Sequence, residues 1–180
     1  NALILLAGGT GSRLDSAKNT IPKQFIKIGN YNLIEYFLRN LDEKIFDRIQ
    51  IVVNKPMQKK YLSNLRKDFP KHQIKFVNAG KERQISSKNG IYSLNKFCPK
   101  KVLIHDSARP LVSNKLIKRL LKSLDKHQSC APFITNNDFI KYKSKNNKTK
   151  HDKIMNIQTP QAFRFENILK AHRFSKNCTE

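Results

Sequence analysis

An α/β fold with a doubly wound, mostly parallel sheet is predicted, on three observations. Short apolar runs rich in β-branched residues alternate with segments of helical periodicity along most of the chain. The first run, Leu3-Ile4-Leu5-Leu6, passes straight into Ala7-Gly8-Gly9, as a buried parallel strand does when a ligand loop follows its carboxyl end. One polar stretch from about residue 136 to 153, rich in Lys and Asn, interrupts the alternation and reads as an arm or loop inserted into a Rossmann-like body.

The elements follow in order. After the glycine loop, Asn32 to Leu41 has helical spacing, with Leu33, Phe37 and Leu41 expected on one face. Ile49 to Val53 is a β-branched strand, and Pro56 opens a helix expected to run through Leu62 and Leu65, proline being tolerated in a first turn. Ile74 to Val77 is a short third strand. Ala79-Gly80 turns the chain into a helix from Arg83 to Ile91. Lys101 to His105 is the fourth strand and ends in Asp106-Ser107-Ala108-Arg109-Pro110. Ser113 is placed to cap an amphipathic helix carrying Ile117, Leu120, Leu121 and Leu124. Cys130 to Ile134 is a further strand. Asp138 to Tyr142 and Lys153 to Met155 flank the polar stretch as strands of the arm. Ile157 to Phe163 returns to the body, and Phe165 to Phe174 is helical.

Composition sets the bounds. With 180 residues the chain is expected to form one domain with a substantial core. It carries 36 basic and 13 acidic side chains, a net charge of +23, which favours anionic partners. The lysines are scattered rather than gathered into a stripe, so most of them read as solvated surface. No aromatic-basic platform or recognition helix supports nucleic-acid binding. Cys98, Cys130 and Cys178 are odd in number and far apart, which argues against a disulfide framework or zinc site and for a reducing cytoplasm. The first apolar run is too short to span a bilayer. The chain starts without Met and stops at Cys178-Thr179-Glu180, so a C-terminal truncation of a longer protein is expected.

The chemistry concentrates in Ala7-Gly8-Gly9-Thr10-Gly11-Ser12-Arg13 and in Pro22-Lys23-Gln24-Phe25. Backbone N–H groups of such a loop form a nest for phosphate oxygens. Arg13 adds a bidentate fork and Lys23 a point charge. Neither common glycine motif fits. The dinucleotide fingerprint needs a third glycine where Leu14 stands, and no Gly-Lys-Ser/Thr follows for a Walker loop.

The opening resembles nucleotidyltransferases that activate sugars and sugar alcohols. Four further segments narrow the likeness: Pro22 to Phe25; Gly80-Lys81-Glu82-Arg83 with Ser86 and Asn89-Gly90; Ile104 to Pro110; and Gln158-Thr159-Pro160-Gln161-Ala162-Phe163. Together they resemble the CTP-dependent 2-C-methyl-D-erythritol 4-phosphate cytidylyltransferases of non-mevalonate isoprenoid synthesis. That resemblance implies a nucleotidyltransferase-type fold and transfer of CMP from CTP to the polyol phosphate, with release of pyrophosphate. It implies that Arg13 and Lys23 are catalytic, stabilising the transition state and the leaving group. Ala7, Gly8, Gly9, Thr10, Gly11, Gly80, Arg83, Ser86, Asp106 and Ser107 would hold the nucleotide. Asp106, Arg109, Lys141, His151 and Thr159 would hold the acceptor. Mg²⁺ would be carried mainly by the CTP phosphates, in keeping with its few protein ligands. A homodimer formed through the arm and a possible fusion to a downstream pathway enzyme are also implied, with no nucleic-acid or membrane partner.

Duller roles stand beside these. Asp106 and Arg109 could be a local ion pair, Ser86 and Ser87 a helix cap, and His105 a packed strand residue. Gln161 and Phe163 could simply pack around a Thr-Pro turn. The chain also departs from the family. Its arm has Asp138-Phe139-Ile140-Lys141 where the family has Asp-Thr-x-Lys, and His151 stands where an acceptor-positioning arginine is usual. Two extra residues lie between Arg13 and Lys23, and the chain stops before the family's Thr-Asp-Asp segment and its terminal lysine-bearing strand. A ribitol-phosphate or other polyol-phosphate cytidylyltransferase is therefore the alternative within the class. A basic nucleic-acid-binding protein or a non-catalytic paralogue is the alternative outside it.

Overall fold

A computed structural model describes residues 1–9, 21–135 and 155–174. Its centre is a six-stranded sheet of strands β1 (Ala2–Leu6), β4 (Arg48–Val52), β5 (Ile74–Val77), β6 (Lys101–Asp106), β7 (Ser129–Cys130) and β10 (Gln161–Arg164), in the order β5-β4-β1-β6-β10-β7. Strands β5, β4, β1 and β6 are mutually parallel, while β10 runs antiparallel to both β6 and β7. The first strand thus has the second parallel strand on one side and the fourth on the other. Chain winding reverses between β1 and β6, the place where sheets of this kind take ligands beyond the carboxyl ends of their strands.

Alternation along each strand builds a core on both faces. Leu3 and Leu5 face one side with Ile49, Ile51 and Leu103. There they meet helices α1 (Leu33–Asn40) and α5 (Asn114–Ser123) through Ile34, Phe37, Leu38, Ile117, Leu120 and Leu121. Ala2 and Ile4 face the other side with Val52, Val102 and Ile104. These meet α4 (Arg83–Ser93) and α6 (Phe165–Phe174) through Ile91, Phe165 and Leu169. Gly90 lets α4 lie close on the sheet, since a Cβ there would stand 2.7 Å from Ile4 Cγ2.

Most expected elements are present, with four differences. The buried face of α1 is Ile34, Phe37 and Leu38 rather than Leu33, because Asn32 caps the helix and fixes its phase. The single helix expected from Pro56 divides into α2 (Lys55–Tyr61) and α3 (Leu65–Asp68). Ser63-Asn64 lies at the break, and such residues favour turns and caps over helix interiors. Yet Leu62 and Leu65 are both buried in one core. The strand expected from Cys130 to Ile134 also divides. Pro132 cannot donate to a ladder, so β7 stays in the main sheet while β8 (Phe133–Thr135) leaves it to pair with β9 (Met155–Ile157). Fourth, a hairpin of β2 (Lys27–Ile28) and β3 (Tyr31–Asn32) precedes α1; its short strands had no periodic signature. Residues 136–154, which include the expected strand at Asp138 to Tyr142, lie outside the described residues; β8 and β9 pair with each other on either side of them.

Candidate active site

The register of the sheet sets the site. Leu6 pairs with Val52 on one side and Asp106 on the other, and Val52 pairs with Val77. The segments after β1, β4, β5 and β6 therefore leave the sheet at one level, side by side. They carry Ala7–Gly9, Asn54, Ala79–Gly80 and Ser107–Arg109 respectively.

The loop after β1 is held by its carbonyls. Gln24, 5% exposed, sits in a single 3-10 turn over Lys23–Phe25. Its Nε2 donates to Ala7 O at 2.8 Å and to Gly9 O at 2.7 Å. Asn54 Nδ2 donates to Gly8 O at 3.5 Å. Three successive carbonyls are thus turned toward the protein. Among the described residues the N–H groups of Gly8 and Gly9 have no hydrogen-bond partner, so this stretch of backbone offers donors to an anion. Phe25 anchors the turn by stacking on Tyr61, with ring centroids 4.5 Å apart. Beside it Lys23 is exposed, and its ammonium makes no ion pair among the described residues.

A side chain at position 8 is excluded by the neighbouring loop. A Cβ on Gly8 would lie 2.3 Å from Ala79 Cβ, so this glycine serves loop-to-loop packing. Gly80 follows, its N–H donating to Ser86 Oγ at 3.0 Å. Ser86 and Ser87 are not a helix cap, as Glu82 occupies the N-cap of α4 and both serines are buried inside the helix. Ser107 is 3% exposed and gives its hydroxyl proton to Leu6 O at 2.7 Å, bracing the ends of β1 and β6.

Asp106 sits between two guanidinium groups. Arg83 approaches Oδ1 at 3.3 Å and Arg109 Nε approaches Oδ2 at 3.7 Å. The pair Asp106–Arg109 is thus a real local contact and part of a larger cluster. Arg109 Nη1 also donates to Gln158 Oε1. Behind them His105, 1% exposed, is 2.9 Å from Arg109 O through Nε2 and 3.0 Å from Thr159 Oγ1 through Nδ1. Burial pushes its pKa below the ordinary histidine value, a shift opposed by the contact to Arg109 O and by the Asp106 charge. His105 is a packed strand residue, and a fully hydrogen-bonded one. The Thr159–Pro160 peptide is cis. A cavity of about 500 Å³ opens here, with His105, Arg109, Gln158 and Thr159 at its polar edge and Pro110, Leu111, Val112, Leu116, Phe133 and Ile134 among its apolar walls.

Of the residues singled out in the sequence, the structure brings Ala7, Gly8, Gly9, Lys23, Gly80, Arg83, Ser86, Asp106, Ser107, Arg109 and Thr159 to this end of the sheet. Thr10, Gly11, Arg13, Lys141 and His151 lie outside the described residues. Sequence reasoning gave no role to Gln24, Asn54 or Gln158. Gln24 lies inside the Pro-Lys-Gln-Phe motif, so its signal was present; nothing marked Asn54. Among the described residues no group of three or more His, Cys, Asp or Glu side chains converges on a point. No helix among them is long and apolar enough to cross a membrane.

The family described as 2-C-methyl-D-erythritol 4-phosphate cytidylyltransferase matches residues 2–179. A protein of that description from Clostridium acetobutylicum is 36% identical over 185 residues, covering 96% of this chain and 76% of the relative. The bifunctional enzyme IspD/IspF of Bartonella quintana is 33% identical over 179 residues, covering 97% of this chain but 45% of the relative. The chain spans about half the length of such bifunctional relatives. The fold is that of the 4-diphosphocytidyl-2C-methyl-D-erythritol synthase of Anaerococcus prevotii, with a TM-score of 0.80 at 22% identity over 99% of this chain and 78% of that one.

Proposed function

The chain belongs to the 2-C-methyl-D-erythritol 4-phosphate cytidylyltransferase family, and from that premise we propose that it transfers CMP from CTP to methylerythritol phosphate. The observation that carries the reading is the pairing of two half-sites at the switch point. The Ala7–Gly9 loop, with outward N–H groups, stands next to the Asp106–Arg109 segment, joined by the Leu6–Asp106 register. An anion nest beside a guanidinium-rich strand end suits two phosphorylated substrates that must meet.

In the proposed reaction an acceptor phosphate oxygen forms a bond to the α-phosphorus of CTP. The bond from that phosphorus to the bridging oxygen breaks, and pyrophosphate leaves with the electron pair. The acceptor phosphate is already ionised at neutral pH, so no general base is needed. Catalysis rests on alignment and on charge neutralisation. The Gly8 and Gly9 N–H groups would hold phosphate oxygens, and Lys23 would draw charge from the leaving group. Arg13 would act with it. Gly80 and Ser86 would flank the base, and Arg109 would meet the acceptor phosphate. A divalent cation would neutralise the triphosphate when bound. Asp106 is the carboxylate at this strand end, and it already faces Arg83 and Arg109, which supports leaving Mg²⁺ mainly to the phosphates.

A homodimer through the arm belongs to the same proposal. Phe133, Ile134, Met155 and Ile157 are between 53% and 61% exposed in β8 and β9, apolar surface that a second copy would cover. A cytoplasmic location belongs to the same proposal, in keeping with the three scattered cysteines of the chain. Fusion to a second pathway enzyme is compatible with the bifunctional relatives.

The test is ³¹P NMR of the full-length gene product with CTP, Mg²⁺ and methylerythritol phosphate, against the Lys23→Ala variant. Pyrophosphate and a diphosphodiester should appear together with wild type. Loss of the ammonium should slow turnover by about 10² to 10³, as removal of a charge-stabilising group does, with CTP still bound. A Lys23→Ala protein at the wild-type rate contradicts this assignment.

A further inference from the structure

We propose that His105 is a positioning residue that sets the hydrogen-bond polarity of the acceptor pocket, leaving Thr159 able only to accept from substrate. The claim about the pocket rests on the transferase reading above; the hydrogen-bond network does not.

A carbonyl fixes the tautomer. Arg109 O lies 2.9 Å from His105 Nε2, and a carbonyl can only accept, so Nε2 carries the hydrogen. The ring is 1% exposed and has no carboxylate within hydrogen-bond reach on either nitrogen, which keeps it neutral. Nδ1 is then bare and must accept. Its neighbour at 3.0 Å is Thr159 Oγ1, so the threonine hydroxyl donates its single proton inward. Asp106 N–H points at the same oxygen from 3.4 Å, taking one lone pair. What remains of Thr159 toward the cavity it lines is one acceptor lone pair.

That polarity selects among ligand groups. A lone-pair acceptor repels an ionised phosphate oxygen and suits a hydroxyl. Thr159 therefore reads a hydroxyl of the polyol, and the phosphate is left to Arg109, whose backbone the same imidazole pins. Arg109 is further fixed by Asp106 at 3.7 Å and by Gln158 Oε1, and Gln158 N–H is tied to Pro132 O at 2.8 Å. His105 joins the strand end, the Arg109 turn and the Thr159 turn into one unit.

The experiment has two arms on the full-length gene product. Long-range ¹⁵N–¹H correlation of the imidazoles, at neutral pH, should show His105 as the neutral Nε2–H tautomer. A Nδ1–H tautomer or an imidazolium overturns the network, whatever the turnover. In the kinetic arm, Thr159→Val and His105→Phe should each raise the acceptor KM on the order of tenfold, the scale of one neutral hydrogen bond. The CTP KM should stay within about twofold, since uniform loss of fold would move both. The double variant should be no worse than His105→Phe alone, because both changes remove one interaction. His105→Gln, which keeps a donor for Arg109 O, should recover part of the loss and serves if the phenylalanine variant does not fold. Equal rises in both KM values, additivity in the double variant or an unchanged acceptor KM overturn the proposal. A wild type silent with CTP and polyol phosphates removes the transferase reading and the pocket role with it, while the tautomer still decides the network.

Discussion

Gln24 shows how much a single side chain controls at this site. One amide nitrogen serves Ala7 O and Gly9 O, and no rotamer of a carboxylate or alkyl group can do the same. Gln24→Leu keeps the approximate volume and removes both donors. The carbonyls then lose what turns them inward, and the Gly8 and Gly9 N–H groups lose their fixed direction. CTP affinity, measured by titration calorimetry, should fall by about tenfold or more, on the scale of one to two lost hydrogen bonds. Unchanged affinity would mean the loop keeps its shape without Gln24. At this scale the sequence was informative about residue types and blind to partners. Lys23 is conspicuous because it stands in a Pro-Lys-Gln-Phe motif soon after a glycine loop. Its neighbour Gln24 shows its role only when the backbone it grips is visible. His105 illustrates the same limit: a histidine in an apolar strand reads as packing, and its two hydrogen bonds come from residues four and 54 positions away.

Among the elements, α1 rests on its N-terminus. Asn32 Oδ1 accepts from Ile34 N–H and Glu35 N–H, both at 3.0 Å, while Glu35 Oε2 accepts from Asn32 N–H at 2.8 Å. This capping box ends in three buried apolar residues, Ile34, Phe37 and Leu38. Asn32→Ala should cost about 1 kcal/mol, up to about 2. In a chain of this size that lowers Tm by about 2–4 °C per kcal/mol, readable by thermal denaturation; an unshifted Tm would mean the box contributes nothing. Periodicity located α1 and α5, each of which carries an apolar face and a capping residue. It failed at Cys130 to Ile134, where composition is continuous but Pro132 sends two short strands to different sheets. It failed at Leu62 and Leu65 for a related reason, since burial continues across a break in the backbone.

For the molecule as a whole, two kinds of charge act together in acid. His72, His105 and His172 all have pKa values pushed below the ordinary histidine value, first of all by burial. The unfolded chain binds those protons more readily than the native one, so stability rises with pH through that range. Their contribution is complete above the unfolded value of about 6.5 and is lost as pH falls from there toward the lower native values. The net charge of +23 adds self-repulsion in the same direction. Urea midpoints should therefore be similar at pH 7.5 and 7.0 and decline steadily from pH 6.5 to 5.5. A flat profile across that interval would contradict the neutral state of these rings. The architecture was legible from alternation alone, since a doubly wound sheet needs only ordered strands and helices. The antiparallel β10 between β6 and β7 was not, because strand direction is fixed by tertiary pairing.

Acceptor choice separates the proposed joining of CTP to methylerythritol phosphate from the activation of another polyol phosphate. The full-length gene product should be supplied with CTP and Mg²⁺, and pyrophosphate release followed with methylerythritol phosphate and ribitol 5-phosphate offered separately. Release is expected with methylerythritol phosphate and none above background with ribitol phosphate. Release with ribitol phosphate alone, or with neither while CTP still binds, would contradict the proposed reaction.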